Sequence, residues 1–148
     1  MRLRALSVVA SAACLLWPPL ASAAAAATSL RYDGLYCRRE TGDFSDLTAY
    51  LRFYRDGTVL YVVCNTPPAK VAKWFYRGYV PEPGLDLAQG RYTVEGQRIR
   101  FSTRATEEPR IDFSGHIEPQ SLQLRTVSHY NGRRAKVRFD FVPVRFSR

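Results

Sequence analysis

The chain has 148 residues, a length that suits one compact domain rather than two. Its net charge of +9 comes almost entirely from arginine, and indicates either an anionic partner or ordinary solubility charge. No basic run is dense enough to resemble a nucleic-acid-binding tail, so we expect no nucleic-acid partner.

The amino terminus has the pattern of a secretory signal peptide. Arg2 and Arg4 precede the apolar segment LSVVASAACLLWPPL, which is followed by a cleavage site of the Ala-x-Ala type at 21–23. The apolar segment is short and interrupted by two prolines, unlike a membrane-spanning helix of about 20 residues. The sequence therefore predicts a signal peptide at 1–23, one domain at 24–148, and a secreted or periplasmic protein with no transmembrane segment in the mature chain.

After residue 28, apolar and polar residues alternate with a period of two between turn residues, which is the pattern of β-strands. The predicted strands are 31–38, 49–54, 58–64, 90–94, 97–104, 110–117, 121–130 and 133–144. One segment, 67–78, departs from this pattern. It begins with prolines, ends with a glycine and carries Val71, Trp74 and Phe75 at helical spacing, which predicts a short helix after the third strand.

The hairpin LRFYRDGTVLYVV, at 51–63, leaves two registers open. A two-residue turn at Asp56-Gly57 would pair Phe53 with Leu60, whereas a bulged turn would pair Phe53 with Val59. The non-glycine residue before the Asp-Gly pair favours the bulged turn. In that register several apolar residues of the third strand face outward, and the apolar face of the predicted helix is the available cover.

Three further hairpins follow from their connections. Asn131-Gly132 predicts a two-residue type I′ turn, Glu95-Gly96 predicts a second tight turn, and 118–121 forms a four-residue loop. The predicted cross-strand pairs are Leu124–Phe139, Arg125–Arg138, Arg91–Arg100 and Gly115–Leu124.

A sheet of eight consecutive antiparallel strands with one apolar face must bury that face, and almost no helix is available to cover it. The predicted fold is therefore all-β, an eight-stranded antiparallel up-and-down barrel with one short helix after the third strand. A two-sheet sandwich is the alternative, although it usually needs longer connections. The positions predicted to face inward are Tyr36, Leu51, Phe53, Tyr92, Ile99, Phe101, Ile111, Phe113, Leu122, Leu124, Val137, Phe139 and Phe141.

Gly34-Leu35-Tyr36 in the first strand, followed by the meander and the helical insertion, resembles the lipocalin-like (calycin-type) barrels, which carry a tryptophan where this chain has Tyr36. DGLY at 33–36, YLRFYRDGTVL at 50–60 and GRYTV at 90–94 also resemble the carboxy-terminal barrel domain of certain F-box proteins. The lipocalin resemblance implies a cup that binds a small apolar ligand.

The residues show no constellation typical of catalysis. Asp112, Ser114 and His116 share one face of a strand, but residues i and i+2 are about 7 Å apart, too far for a Ser–His–Asp relay. Two histidines without a Cys–His cluster do not predict zinc, and no glycine-rich phosphate loop is present. We therefore expect a non-enzymatic protein with no cofactor and no metal.

Two binding surfaces are expected instead. A small apolar or amphipathic ligand in the barrel interior and mouth would contact Tyr36, Phe53, Tyr61, Trp74, Phe75, Tyr92, Phe101, Phe113, Leu124 and Phe139. An anionic envelope component or protein would contact the outer face at Arg91, Arg98, Arg100, Arg125 and Arg138, beside the outward-facing Arg134 and Lys136. Ligand binding in the barrel is the leading hypothesis. The alternative is a filled barrel that acts as an envelope or protein-interaction module through its arginine-rich face, since an eight-stranded barrel can be filled by its own side chains.

The cysteines leave a further alternative open. Cys14 would leave with the signal peptide, unless it carried a lipid anchor, which is the weaker interpretation. Cys37 and Cys64 would remain, and an even number in an exported chain is compatible with one disulfide. Two separate thiols are the other reading. Because both side chains face outward in the bulged register, a bridge requires the strands to curl.

Overall fold

The computed structural model describes residues 28–106 and 108–147, and the predicted signal peptide lies outside them. The strands are β1 (Gly34–Arg39), β2 (Thr48–Phe53), β3 (Thr58–Cys64), β4 (Ala88–Glu95), β5 (Arg98–Arg104), β6 (Ile111–Ile117), β7 (Ser121–Ser128) and β8 (Arg134–Pro143). A 3₁₀ turn, Gly42–Phe44, lies between β1 and β2, and the helix α1, Pro68–Val71, lies between β3 and β4.

Each strand pairs antiparallel with the next strand in the chain, and β8 pairs with β1 to close the sheet. The predicted eight-stranded up-and-down barrel is therefore confirmed. Closure leaves no unpaired sheet edge, and alternate residues of each strand face the interior. Among the described residues, no helix is long and apolar enough to span a membrane.

The turn between β2 and β3 has the predicted bulged form. Gly57 has a φ of 89°, and the carboxylate of Asp56 accepts a hydrogen bond from the Thr58 backbone N–H at 3.0 Å. Phe53 consequently pairs with Val59. This register turns alternate apolar residues of β3 away from the interior, as the sequence predicted.

The predicted register between β7 and β8 is wrong by two residues. Leu124 pairs with Val137 rather than with Phe139, because the strands are joined by a four-residue loop. A type I′ turn needs positive φ at both central residues. Gly132 has a φ of 68°, but Asn131 does not have positive φ, so the predicted turn does not form.

The predicted register between β4 and β5 is displaced in the same way. Gly96, with a φ of 60°, takes the first turn position, where type II′ turns place glycine. The observed pairs are Arg91–Ser102 in place of Arg91–Arg100, and Arg125–Lys136 in place of Arg125–Arg138. The predicted Gly115–Leu124 pair between β6 and β7 is confirmed. Because strands have a period of two, these shifts leave every side chain on its predicted face.

The barrel interior is filled by aromatic rings. The centroids of Phe53 and Tyr36 lie 5.6 Å apart, those of Phe53 and Phe101 lie 5.4 Å apart, and Phe101 stacks on Phe113 at 4.6 Å. Phe113 in turn contacts Tyr61 edge to face at 5.6 Å. All the positions predicted to face inward belong to this core or pack against it.

A second apolar cluster lies outside the barrel, on the outer wall of β2 and β3. Leu60 and Val62 are fully buried there under Val71 and Phe75. The predicted cover is therefore confirmed, but the helix is four residues long rather than spanning 67–78. Its last turn is extended by a hydrogen bond from the Phe75 N–H to the Val71 carbonyl, at 2.9 Å.

A cup at the open end of the barrel

The two ends of the barrel differ, and one is sealed. The segment before β1 crosses this end and buries Leu30 in the core. The guanidinium of Arg31 lies 3.9 Å from the centroid of the Phe141 ring. The hydroxyls of Tyr32 and Tyr92 are 3.2 Å apart. These contacts close the interior at this end.

At the opposite end the interior opens into a cavity of about 290 Å³, which we call the cup. The rings of Tyr61, Phe113 and Phe139 and the side chain of Val137 form its apolar floor and lower wall. Ile111, which is partly buried, also lines it, and the rest of the lining is polar or exposed: Arg38, Glu40, Thr41, Phe44, Thr126, Ser128, Asn131, Arg133 and Ala135. An apolar floor beneath a polar rim suits an amphipathic molecule.

Two walls of the cup carry polar groups, an ion pair and a tyrosine hydroxyl. Arg38 and Glu40 form an ion pair at 2.8 Å on one wall, and both side chains are half-buried. Burial raises the pKa of the Tyr61 hydroxyl to about 12. Tyr61 therefore stays neutral at physiological pH and can donate a hydrogen bond to a ligand.

A second cavity of about 300 Å³ adjoins the cup and shares Tyr61 and Ile111 with it. We call it the acidic hollow, because Asp86 and Glu108 stand at its rim. Burial is the main cause that raises the pKa of Glu108, and a hydrogen bond with the Asp86 carboxyl group raises it further. Thr103 also lines the acidic hollow. Its hydroxyl oxygen is buried without a hydrogen-bond partner among the described residues.

The structure divides the predicted ligand-binding residues among three places. Tyr61, Phe113 and Phe139 line the cup. Trp74 and Phe75, which were expected at the barrel interior or mouth, lie on the outer wall in the second apolar cluster. The others lie deeper in the core or next to the sealed end: Tyr36, Phe53, Tyr92, Phe101 and Leu124.

Sequence reasoning missed the loop residues of both cavities. Phe44, in the 3₁₀ turn, is 63% exposed at the rim of the cup. Asp86 and Glu108 precede β4 and β6, in segments with no strand periodicity to assign a face. The aromatic ring of Phe44 in an otherwise polar turn was the one signal that the sequence offered.

The predicted anion-binding arginines also differ in their surroundings. Arg91 donates a hydrogen bond to the Asp56 backbone carbonyl at 2.8 Å, and Arg138 is paired with Asp140 at 2.7 Å. In contrast, Arg98, Arg100 and Arg125 form neither a salt bridge nor a side-chain hydrogen bond with any residue that the structure describes. The three predicted arginines without a partner therefore lie on β5 and β7.

The predicted disulfide is not formed, and both Cys37 and Cys64 are free thiols. They lie on β1 and β3 with β2 between them. Two strand spacings amount to about 10 Å, beyond the limit of about 7 Å for Cα atoms joined by a disulfide. Burial raises the pKa of Cys37 to about 12, which keeps this thiol protonated and unreactive.

Asp112 is the centre of a polar network on the outer face. Its carboxylate accepts a hydrogen bond from the Ser102 hydroxyl at 2.5 Å, lies 2.7 Å from Nε2 of His129, and pairs with Arg110 at 3.0 Å. The Ser102 hydrogen bond and the contact with His129 lower the pKa of Asp112. The carboxylate separates serine from histidine, so this order is not that of a Ser–His–Asp relay.

Within the described ranges, no group of three or more His, Cys, Asp or Glu side chains is placed to hold a metal ion. Comparison with known proteins finds no matching family model, no similar curated protein and no similar solved structure.

Proposed function

We propose that this protein is an exported, non-enzymatic binding protein that takes up a small apolar or amphipathic molecule in the cup. The observation that carries the proposal is the cavity of about 290 Å³ at one end of a barrel whose other end is closed by the segment before β1. A concave site with an apolar floor and a few polar groups is the usual form of a small-molecule site.

The filled core limits where the ligand can lie. The stack of Phe101 on Phe113 occupies the middle of the barrel, so the ligand binds above it rather than along the barrel axis. The apolar part of the ligand rests on Tyr61, Phe113 and Phe139, and its polar part meets the rim. The likeness of residues 34–36 to the lipocalin-like barrels supports the same kind of ligand, held closer to the mouth.

The test is uptake of N-phenylnaphthylamine, a neutral apolar dye that fluoresces when it leaves water. We expect saturable enhancement with the wild-type protein. Ala135 lines the cup and is itself exposed, so Ala135→Trp fills the cavity without disturbing the core. We expect this variant to weaken dye binding by about tenfold or more, because the bulky ring occupies the apolar site.

Arg134→Trp is the matched control, because Arg134 is the preceding residue of the same strand, is exposed and points to the outer face. We expect the dye affinity of this variant to equal that of wild type. Equal affinity for Ala135→Trp and wild type, or no saturable uptake by any of the three proteins, would contradict the proposal. Thermal denaturation of each variant verifies that the barrel is folded.

A further inference from the structure

The outer face of the barrel carries a row of residues that runs directly across four strands. Arg100 on β5 faces Ser114 on β6, Ser114 faces Arg125 on β7, and Arg125 faces Lys136 on β8. We call these four residues the basic row. All four side chains are exposed, and they line an open depression of about 540 Å³.

Ser114 is the short side chain of the row, and two arginines flank it. Neighbouring strands lie about 4.8 Å apart, so Arg100 and Arg125 stand on either side of the serine hydroxyl at nearly equal distances. Both side chains are long enough to bend over the strand between them. A group that rests on Ser114 can therefore meet a guanidinium from each side and a hydroxyl from below.

The charges of the basic row are not compensated within the part of the chain that the structure describes. None of Arg100, Arg125 and Lys136 forms a salt bridge there. Like charges directly opposite each other on neighbouring strands are destabilising, and Arg125 faces Lys136 in this way. An anion bound beside Arg125 would offset this repulsion.

The acids nearest to the row do not neutralise it. Asp112 lies two residues before Ser114 on the same strand face, but it is bonded to Ser102, His129 and Arg110. Glu95 faces Arg98, one pair further along the sheet. Asp112 and Glu95 therefore lie beside residues outside the basic row, and the row keeps its positive charge.

We propose that the basic row is a binding site for a phosphate group, seated on Ser114 between Arg100 and Arg125. A phosphate carries more than one negative charge and has several acceptor oxygens, so it can bond two guanidinium groups and a hydroxyl at once. This site is on the outer face of β5–β8 and is independent of the cup. The phosphate group belongs either to a soluble compound or to the headgroup of a lipid.

The test measures pyrophosphate binding by isothermal titration calorimetry at low ionic strength. Ser114→Glu places a carboxylate at the centre of the row, and Lys73→Gln removes an exposed cation from the segment that covers β2 and β3, away from the row. Both changes alter the net charge by the same amount. We expect Ser114→Glu to weaken binding by about tenfold or more and Lys73→Gln to have little effect, because only the first lies in the site.

Equal weakening by the two variants would overturn the proposal, since it would show attraction by the overall charge rather than by a site. Flotation with vesicles of phosphatidylcholine, with and without phosphatidic acid, distinguishes the two sources. Pyrophosphate binding without flotation supports a soluble phosphate compound, and flotation that needs phosphatidic acid and is lost in Ser114→Glu supports a lipid headgroup. Failure of the wild-type protein to bind either pyrophosphate or phosphatidic acid vesicles overturns the site.

Discussion

Thr103 is 1% exposed, and its hydroxyl oxygen has no hydrogen-bond partner among the described residues. A buried hydroxyl without a partner costs about 1–3 kcal/mol relative to its hydrated state. Valine has nearly the same shape and lacks the hydroxyl. We therefore expect Thr103→Val to raise the free energy of unfolding by about 1 kcal/mol, measured by urea denaturation.

Ser121 is the control, because it is also buried but its hydroxyl donates a hydrogen bond to the Glu118 carboxylate at 2.8 Å. We expect Ser121→Ala to lower the free energy of unfolding, since it removes a bond that the folded state makes. If Thr103→Val lowers the free energy of unfolding as Ser121→Ala does, the Thr103 hydroxyl has a hydrogen-bond partner in solution and is not the orphan group that the structure indicates.

At the scale of elements, the segment after β3 is the cover of the outer wall. Phe75 is fully buried against Leu60 and Val62, and its carbonyl accepts a hydrogen bond from the Arg52 guanidinium. We expect Phe75→Ala to lower the free energy of unfolding by about 3–5 kcal/mol, the range for aromatic truncation in a core. Chemical denaturation provides the measurement.

The neighbouring residue supplies the control for this cover. Tyr76 is 48% exposed, so we expect Tyr76→Ala to change the free energy of unfolding by about 0.5 kcal/mol or less. If Phe75→Ala changed the free energy of unfolding as little as Tyr76→Ala, the segment would be held to the wall by its other contacts, such as the hydrogen bond from Arg52 to the Phe75 carbonyl. In that case, burial of the Phe75 ring would not be its main attachment.

Strand faces could be predicted from the sequence, but two registers could not. Period-two alternation assigns a face to each residue, and this assignment survives a slip of two residues. The register depends on the turn that joins the strands. A type I′ turn at 131–132 needs positive φ at both residues, but only Gly132 has it, so the strands pair two residues away from the predicted register. The bulged turn at Gly57 was predictable because only the glycine there requires positive φ.

The cup could be predicted only in part, for a related reason. Tyr61, Phe113 and Phe139 belong to strands, where alternation points them inward. Phe44, Asp86 and Glu108 lie in connections, where no periodicity relates sequence position to direction. Whether the interior is filled also depends on how the rings pack, and composition alone does not determine this packing. The stack of Phe101 on Phe113 at 4.6 Å is an example.

On the scale of the whole molecule, the barrel separates its candidate binding surfaces. The cup opens at the end formed by the β1–β2 and β7–β8 connections, whereas the basic row crosses the outer wall of β5–β8. The second apolar cluster covers the opposite wall, on β2 and β3. The two proposed sites therefore share no lining residue, and each can be tested by a substitution that leaves the other intact.

The whole-chain prediction concerns export and the cysteines together. Cleavage after Ala23 removes Cys14, so the exported chain would retain only Cys37 and Cys64. Both are free in the structure, on strands separated by β2. We expect the exported protein, alkylated by iodoacetamide in denaturant without reductant, to have the mass of residues 24–148 with both thiols modified. A chain that needs reduction before it can be alkylated would show that the two cysteines are bridged, and a chain that retains residues 1–23 would contradict the predicted cleavage.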